Sequence, residues 1–243
     1  MGIDLKPYKK SDTTKKQEVT SMFDGIAPYY DFLNRLLSLG IDTIWRKKAI
    51  AMLKDDQPKQ MLDIATGTGD LALEAYKQLK PDHIIGLDIS QQMLEFGKEK
   101  ISKKGLSDQI SMVHGDSEQL PYEKDRFDAI TAAFGVRNFE NVDKGLKEML
   151  RVLKPGGKLV VLEFTRPKFF PFKQLFNFYF ANILPWIGKK KSKDKGAYKY
   201  LYESVQAFPD YDRFTDVLKQ NGFRSTNWKS LSFGICAIYT AKK

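Results

Sequence analysis

The sequence predicts an α/β fold: a parallel sheet covered by helices on both faces. Two observations carry this. Short, nearly continuous apolar runs recur at QMLDIA, HIIGLD, ISMVHGD, FDAITAAF and KLVVLEF. Between most of them lie stretches whose apolar residues return every three or four positions, the spacing of a helix face. Strands that are apolar on both sides need cover on both faces, as parallel strands joined by helices receive. A chain of 243 residues allows one domain of ordinary to large size, or one domain with an appended element.

Residues 1–16 are polar, lysine-rich and without periodicity, so a mobile arm is expected ahead of a single domain over 17–243. From Glu18 to Leu53 the pattern is helical, with Met22, Ile26, Tyr29, Tyr30, Leu33, Leu36 and Leu37 at three- and four-residue steps. Two or three helices, a cap over 17–56, therefore precede the first strand. Helices are expected at Leu71–Leu79, Met93–Lys104 and Val142–Leu153, the last closed by LKPGG. After Phe164 the composition changes. Residues 167–187 hold 8 of the chain's 31 aromatics, and KKKSKDK follows, which marks 166–199 as an inserted aromatic and basic lid. A helix around Tyr211–Asn221 and two alternating strands, FRSTNWKSLS and GICAIYTAK, joined at Phe233 and Gly234, complete the chain as an antiparallel hairpin.

Composition narrows the function. Cys236 is the single cysteine, so no intrachain disulfide forms, and His83 and His114 are too few for a histidine-rich metal site; no metal is expected. His114 is expected in the core or behind the site, and His83 at the surface. The net charge of +10 is carried entirely by residues 166–243, with 15 basic against 5 acidic side chains, while 1–165 are neutral overall. An excess concentrated in this way seeks an anionic surface, lipid or nucleic acid. The N-terminus has no apolar segment, so a cytoplasmic product is expected.

The strand MLDIA runs into Thr66-Gly67-Thr68-Gly69-Asp70 and then a helix. Glycines there let a ligand lie against the main chain. Asp88 ends the second strand, where a carboxylate can accept hydrogen bonds from both hydroxyls of a ribose. Gly67, Gly69 and Ala72 also satisfy a dinucleotide fingerprint, so an NAD-dependent enzyme has to be weighed. Charge separates the readings. A diphosphate would sit at the helix N-terminus, where Asp70 stands with Asp63 just before the loop, and two carboxylates there would repel it. They suit a cofactor bearing a sulfonium and an ammonium, as S-adenosylmethionine does. Gly115-Asp116-Ser117, ending the third strand, is placed to receive the adenine amine. Taken singly, Asp70 is more simply a helix cap and Asp63 an incidental strand residue.

The segments DIATGTGD, GLD with Met93-Leu94 five residues after its Asp, GDSEQLPY, FGVRN, EMLRVLKPGGKLVVLEF and YKYLYES, with YDFLNRLLSLGIDTIWRK over 30–47, resemble the ubiquinone/menaquinone biosynthesis C-methyltransferase family. The likeness runs from about Phe23 onward; the glycine loop alone would say only class I methyltransferase. It implies a class I, Rossmann-like methyltransferase fold with a seven-stranded sheet whose last strand is antiparallel. It also implies transfer of a methyl group from S-adenosylmethionine to a ring carbon of a polyprenylated hydroquinone, with 2-demethylmenaquinol the leading acceptor. The family pattern puts the cofactor at Thr68, Asp88, Asp116 and Ser117. The full cofactor set expected is Asp63, Thr66, Gly67, Thr68, Gly69, Asp88, Met93, Asp116 and Ser117. Ala133 and Thr66 depart from the pattern, standing where many relatives carry Ser and Gly.

Hydroquinone carbon becomes nucleophilic when the neighbouring hydroxyl loses its proton. Arg137, in FGVRN after the fourth strand, is expected to stabilise that oxyanion, since it stays charged and donates paired hydrogen bonds; a plain ion pair is the bland alternative. Tyr29, Tyr30, Asp31 and Asn138 are expected to border the acceptor. No general base stands out. Lys173, Asn177, Asn182 and Pro185 interrupt the aromatic segment too often for a membrane span. An interfacial or lid helix beside an anionic membrane surface is expected instead, with burial in a homodimer nearly as good an account. RNA binding is disfavoured because the aromatics precede the lysines as a block. Ubiquinone-pathway methylation, another small-molecule acceptor and a non-catalytic S-adenosylmethionine-binding regulator stay open as alternatives.

Overall fold

A computed structural model describes residues 5–10, 12–179 and 195–243. Its seven strands are β1 (Gln60–Ile64), β2 (His83–Asp88), β3 (Ile110–His114), β4 (Phe127–Ala133), β5 (Leu153–Phe164), β6 (Arg224–Leu231) and β7 (Cys236–Lys242). They form one sheet in the order β3-β2-β1-β4-β5-β7-β6. Neighbours from β3 to β5 are parallel, and β7 runs antiparallel to both β5 and β6. The α/β sheet with an antiparallel last strand is the fold expected from the sequence. Strand order reverses between β1 and β4, so their C-terminal ends diverge and leave a crevice, the usual ligand position in such sheets.

The helices are α1 (Lys15–Ile26), α2 (Tyr30–Leu37), α3 (Ile41–Ala51), α4 (Asp70–Leu79), α5 (Gln91–Lys103), α6 (Val142–Val152), α7 (Phe172–Phe178), α8 (Lys195–Ala207) and α9 (Asp212–Gln220). Strand alternation splits the core into two layers. Leu62 and Ile64 face a cluster with Phe127, Leu146, Met149, Phe214 and Tyr239. Met61 faces the opposite layer, where Trp45, Ala49, Ile50 and Leu53 of α3 pack with Leu71 and Ala72 of α4. The cap helix α3 is thus part of the core, not an appendage.

Two expectations are corrected. Helix α6 stops at Val152, and LKPGG belongs to β5, with Gly156 at φ +76 and a bulge against β4. Residues 5–10 are not a free arm. The Glu18 carboxylate accepts the amides of Tyr8, Lys9 and Lys10 and the Thr13 hydroxyl at 2.6–3.0 Å. Lys15 Nζ donates to the carbonyls of Arg137 and Phe139. One buried carboxylate gathers four donors, which holds this stretch of chain on α1. Residues 180–194, most of the lysine run among them, lie outside the described residues, as do 1–4 and 11. Among the described residues no helix is long and apolar enough to cross a membrane.

Glu18→Ala removes the acceptor for all four donors. Limited trypsin digestion should then cut at Lys9 and Lys10 well before the body of the protein; resistance equal to the parent would show that Glu18 does not hold this segment.

Candidate functional site

The crevice holds two cavities. The first, about 70 Å³, is lined by Gly67 of the glycine loop, by Asp88 and Met93, by Asp116 and Ser117, and by Lys16, Val19 and Phe23 of α1. Asp88 is fixed by its neighbours. Its Oδ2 accepts the Gly67 amide at 2.7 Å and its Oδ1 the Ser90 amide at 2.9 Å. Burial nevertheless pushes its carboxyl above the usual range. Gly69 at φ +81 starts α4 in a conformation that suits glycine. A Cβ on Gly135 would lie 2.4 Å from that of Ala65, so the loops after β1 and β4 approach closely only because residue 135 is glycine.

Five of the expected cofactor residues, Gly67, Asp88, Met93, Asp116 and Ser117, reach this cavity; four do not. Asp63 is 1% exposed and accepts the hydroxyls of Thr66 and Thr131 at 2.6 Å. Thr66 is turned to that carboxylate, and Thr68 Oγ1 donates to Asp31 at 2.6 Å. Gly69 backs onto Ile101 and Met112. Asp70 is neutralised by Lys100 at 2.9 Å and Arg35 at 2.7 Å. Burial works to raise its pKa, but Lys100 and the arginines outweigh that and hold it below the usual range. The two carboxylates expected to select a cation therefore do not line this cavity. Asp88, Asp116, Glu118 and Glu140 do, against the single cation Lys16 among the described lining residues. Lys16 Nζ bridges Asp116 at 2.7 Å and Glu118 at 3.4 Å.

The second cavity is larger, about 580 Å³, and mostly apolar. It shares Phe23, Tyr30, Phe134 and Asn138 with the first, so those residues form the wall between them. Trp45, Phe134 and Phe164 pack against one another along it, with ring centroids 4.6–6.2 Å apart. Arg137 lies on the wall, 5% exposed, its Nη1 bonded to Glu163 Oε1 at 2.6 Å and to the Phe134 carbonyl. Glu163 has no exposed surface; burial pushes its carboxyl up although Arg137 opposes this. The arginine is thus paired, with a buried partner and not a surface one. Its Nε, however, is buried without a partner, as is Asn138 Oδ1. Tyr29 is 55% exposed and lines neither cavity, since the turn before α2 points it outward. Asp31 serves the Thr68 and Lys100 contacts and lines neither. His114, expected inside, is exposed at the end of β3, and His83 meets Ser111. Glu163 went unassigned in the sequence, although a charge inside the apolar run VVLEF signals a buried partner. Lys16, Trp45 and Phe164 carry no local signal.

A model of the ubiE/COQ5 methyltransferase family matches residues 11–243. The chain belongs to this family. It is 51% identical over 239 residues to a demethylmenaquinone methyltransferase of Bacteroides fragilis, covering 98% of this chain and 97% of that one. It is 46% identical over 243 residues to a demethylmenaquinone methyltransferase of Deinococcus radiodurans, with both chains fully covered. Among solved structures, the [4+2]-cyclase SpnF superposes with a TM-score of 0.70 at 18% identity, covering 95% of this chain and 97% of the cyclase. That match establishes the fold, and because it is a cyclase the fold alone does not decide the chemistry.

In this family member Asp63 acts on the loop through Thr66, and burial pushes its carboxyl up from 3.8 to about 6, with the two threonine hydroxyls opposing. The folded state holds the proton more tightly than the unfolded chain. This contribution is therefore complete below the lower value and is lost as pH rises from 3.8 to about 6. Asp63→Asn abolishes the loss. In urea unfolding the variant should gain on the parent between pH 4 and 7 by up to roughly 3 kcal/mol, and a difference flat across that range would mean that Asp63 titrates normally.

Proposed function

We propose that the chain transfers the methyl group of S-adenosylmethionine to a ring carbon of 2-demethylmenaquinol, giving menaquinol. The observation that carries this reading is the adjacency of an acidic, glycine-bordered cavity and a large apolar one across the wall of Phe23, Tyr30, Phe134 and Asn138. The residues of the first fit the cofactor: Asp88 for the ribose hydroxyls, Gly67 for close approach of the main chain, Met93 as an apolar side and Asp116 for the adenine amine. With Lys16 on Asp116 the space is only about 70 Å³, so Lys16 and α1 shift when the cofactor enters. When bound, S-adenosylmethionine supplies an electrophilic methyl group, its sulfur keeping the electron pair of the broken C–S bond.

The chain's own task is at the acceptor. Glu163 engages Nη1 of Arg137 and fixes the guanidinium plane, leaving Nε as a buried donor without a partner on a residue that lines the cavity. A donor held in a dry site stabilises a quinol oxyanion without having to reorganise. Asn138 Oδ1 accepts from the quinol hydroxyl; its Nδ2 donates to the Phe134 carbonyl at 3.3 Å, which orients the amide. The new C–C bond forms on the ring, the ring hydrogen leaves as a proton, and one proton is released overall. The apolar remainder of the cavity receives the prenyl tail. At its mouth Leu39, Leu175 and Phe178 are 82%, 58% and 59% exposed, with Phe169, Phe170 and Phe233 also exposed nearby in the chain's apolar surface. A membrane face is the surface such a rim suits, because the acceptor's tail resides there.

Labelled S-adenosylmethionine with a short-chain 2-demethylmenaquinol should yield methylated quinol; cofactor retention without transfer would mark a binding protein instead. Arg137→Met alone leaves Glu163 buried and unpaired and should destabilise by about 3–5 kcal/mol. The pair Arg137→Met with Glu163→Gln should keep the fold and cofactor affinity while kcat falls on the order of 10²–10³; a preserved rate would remove Arg137 from the chemistry. Leu39→Asp should reduce co-sedimentation with anionic vesicles, whereas unchanged sedimentation would place the lipid contact elsewhere.

A further inference from the structure

We infer that Tyr200 is a third residue acting on the acceptor: its phenolic hydroxyl donates a hydrogen bond to the same quinol oxygen that Arg137 addresses. This rests on the methyl-transfer reading above. Tyr200 belongs to α8, which touches the Val136–Asn138 turn, and its ring is 2% exposed among Val19, Met22 and Ala197. Its hydroxyl is buried without a partner. Among the described residues seven buried side-chain polar atoms lack partners, and three of them, Arg137 Nε, Asn138 Oδ1 and Tyr200 Oη, belong to residues lining the one apolar cavity. Leaving such a group unsatisfied is costly, and three on residues that line one cavity point to a polar ligand group that completes them. The half-buried Tyr122 beside β4 also lacks a partner for its hydroxyl but lines neither cavity, whereas the fully packed Tyr211 and Tyr239 are satisfied within the protein. Tyr211 Oη donates to the carbonyls of Arg166 and Gly234, and Tyr239 Oη accepts the Tyr211 amide.

The three atoms are complementary to one kind of ligand. Two are N–H or O–H donors and one is a carbonyl acceptor. This matches an oxygen that begins as a hydroxyl and becomes an oxyanion: Asn138 accepts from the first form, and Arg137 and Tyr200 donate to the second. Burial pushes the Tyr200 hydroxyl well up although Arg137 opposes this, so it stays protonated and able to donate at neutral pH. Phe in its place would pack equally well and lose only the donor.

Tyr200→Phe in the full chain is the test, using a short-chain 2-demethylmenaquinol, labelled S-adenosylmethionine, calorimetry for cofactor affinity and thermal unfolding. The expected result is a kcat lower by about 10- to 100-fold, cofactor affinity unchanged, and Tm equal to or above the parent's because an unpaired buried hydroxyl has gone. A ring-chlorinated acceptor, whose hydroxyl ionises more easily, should narrow the difference between variant and parent. A parent-like kcat overturns the proposal and leaves the methyl-transfer reading intact. A lowered Tm with weakened cofactor binding makes Tyr200 a structural residue and overturns it too. If the parent itself fails to methylate the quinol, both readings fall together.

Discussion

The desolvated pair of Arg137 and Glu163 is the contact on which the crevice depends. Each ion costs several kcal/mol to bury, and their attraction offsets this only when the remaining polar atoms are also served. Most are: Glu163 accepts the amides of Phe164 at 2.9 Å and of Arg137 at 3.4 Å, and Nη1 of the arginine also reaches the Phe134 carbonyl, while Nε of the arginine is left buried without a partner. One carboxylate thereby ties the turn after β4 to the end of β5 and sets the positions of Phe134, Asn138 and Phe164 at once. An apolar pair of the same volume would serve the fold at least as well. What it could not provide is an unpaired N–H donor held still on a residue that lines a cavity.

A second set of charges holds the roof. Arg35 of α2 reaches both Asp42 and Asp70, Arg46 shares Asp42, and Lys100 of α5 meets Asp31 and Asp70 at 2.5 and 2.9 Å. The pair of Arg46 and Asp42 is buried and the others are partly so, and a network sharing two carboxylates orients the elements it joins. Here it fixes the cap helices relative to the glycine loop and so places Tyr30 between the two cavities. Phe23 stacks edge-on against that ring at 6.1 Å. Cofactor and acceptor would therefore meet at a wall that the N-terminal cap, and not the sheet, completes.

The fold was legible because its signals are local. Each apolar run such as HIIGLD is a strand whose two neighbours and two covering layers are implied by its own composition, and the terminal hairpin shows in alternation. The end of α6 was misplaced by one residue because LKPGG stops a helix and can equally enter a strand through a bulge. At the site, residues on loops that follow strands were readable: Asp88, Asp116 and Ser117 line the first cavity. Asp63 was not, because it lies within β1, on the same side as Met61, so its side chain enters the helical layer. Glu163 was visible as a charge in an apolar strand, yet its partner lies 26 positions away across a β4–β5 pairing that no local pattern encodes. The large apolar cavity is assembled from α1–α3, the β4 turn, α7 and α8, and only the packed chain brings these together.

The sign of charge inferred for the cofactor cavity survives although the atoms inferred to carry it do not. Asp63 and Asp70 are spent on threonines and on Lys100 and Arg35, but Asp88, Asp116, Glu118 and Glu140 face the space. A diphosphate would meet four carboxylates and a helix N-terminus whose favourable pole Asp70 already occupies. Lys16 displays what the cavity prefers, since its ammonium sits on Asp116 and Glu118. Burial works to lower that ammonium, but the Asp116 hydrogen bond and the Glu118 charge outweigh it and raise its pKa. A nucleoside bearing amine donors and positive charge replaces those N–H donors like for like, without stranding a buried carboxylate. An anion entering the same space would have to keep Lys16 in place and would still face an acidic surplus. The acidic lining of this cavity thus comes from the end of β2 and from the segments after β3 and β4, and the glycine loop contributes shape more than charge.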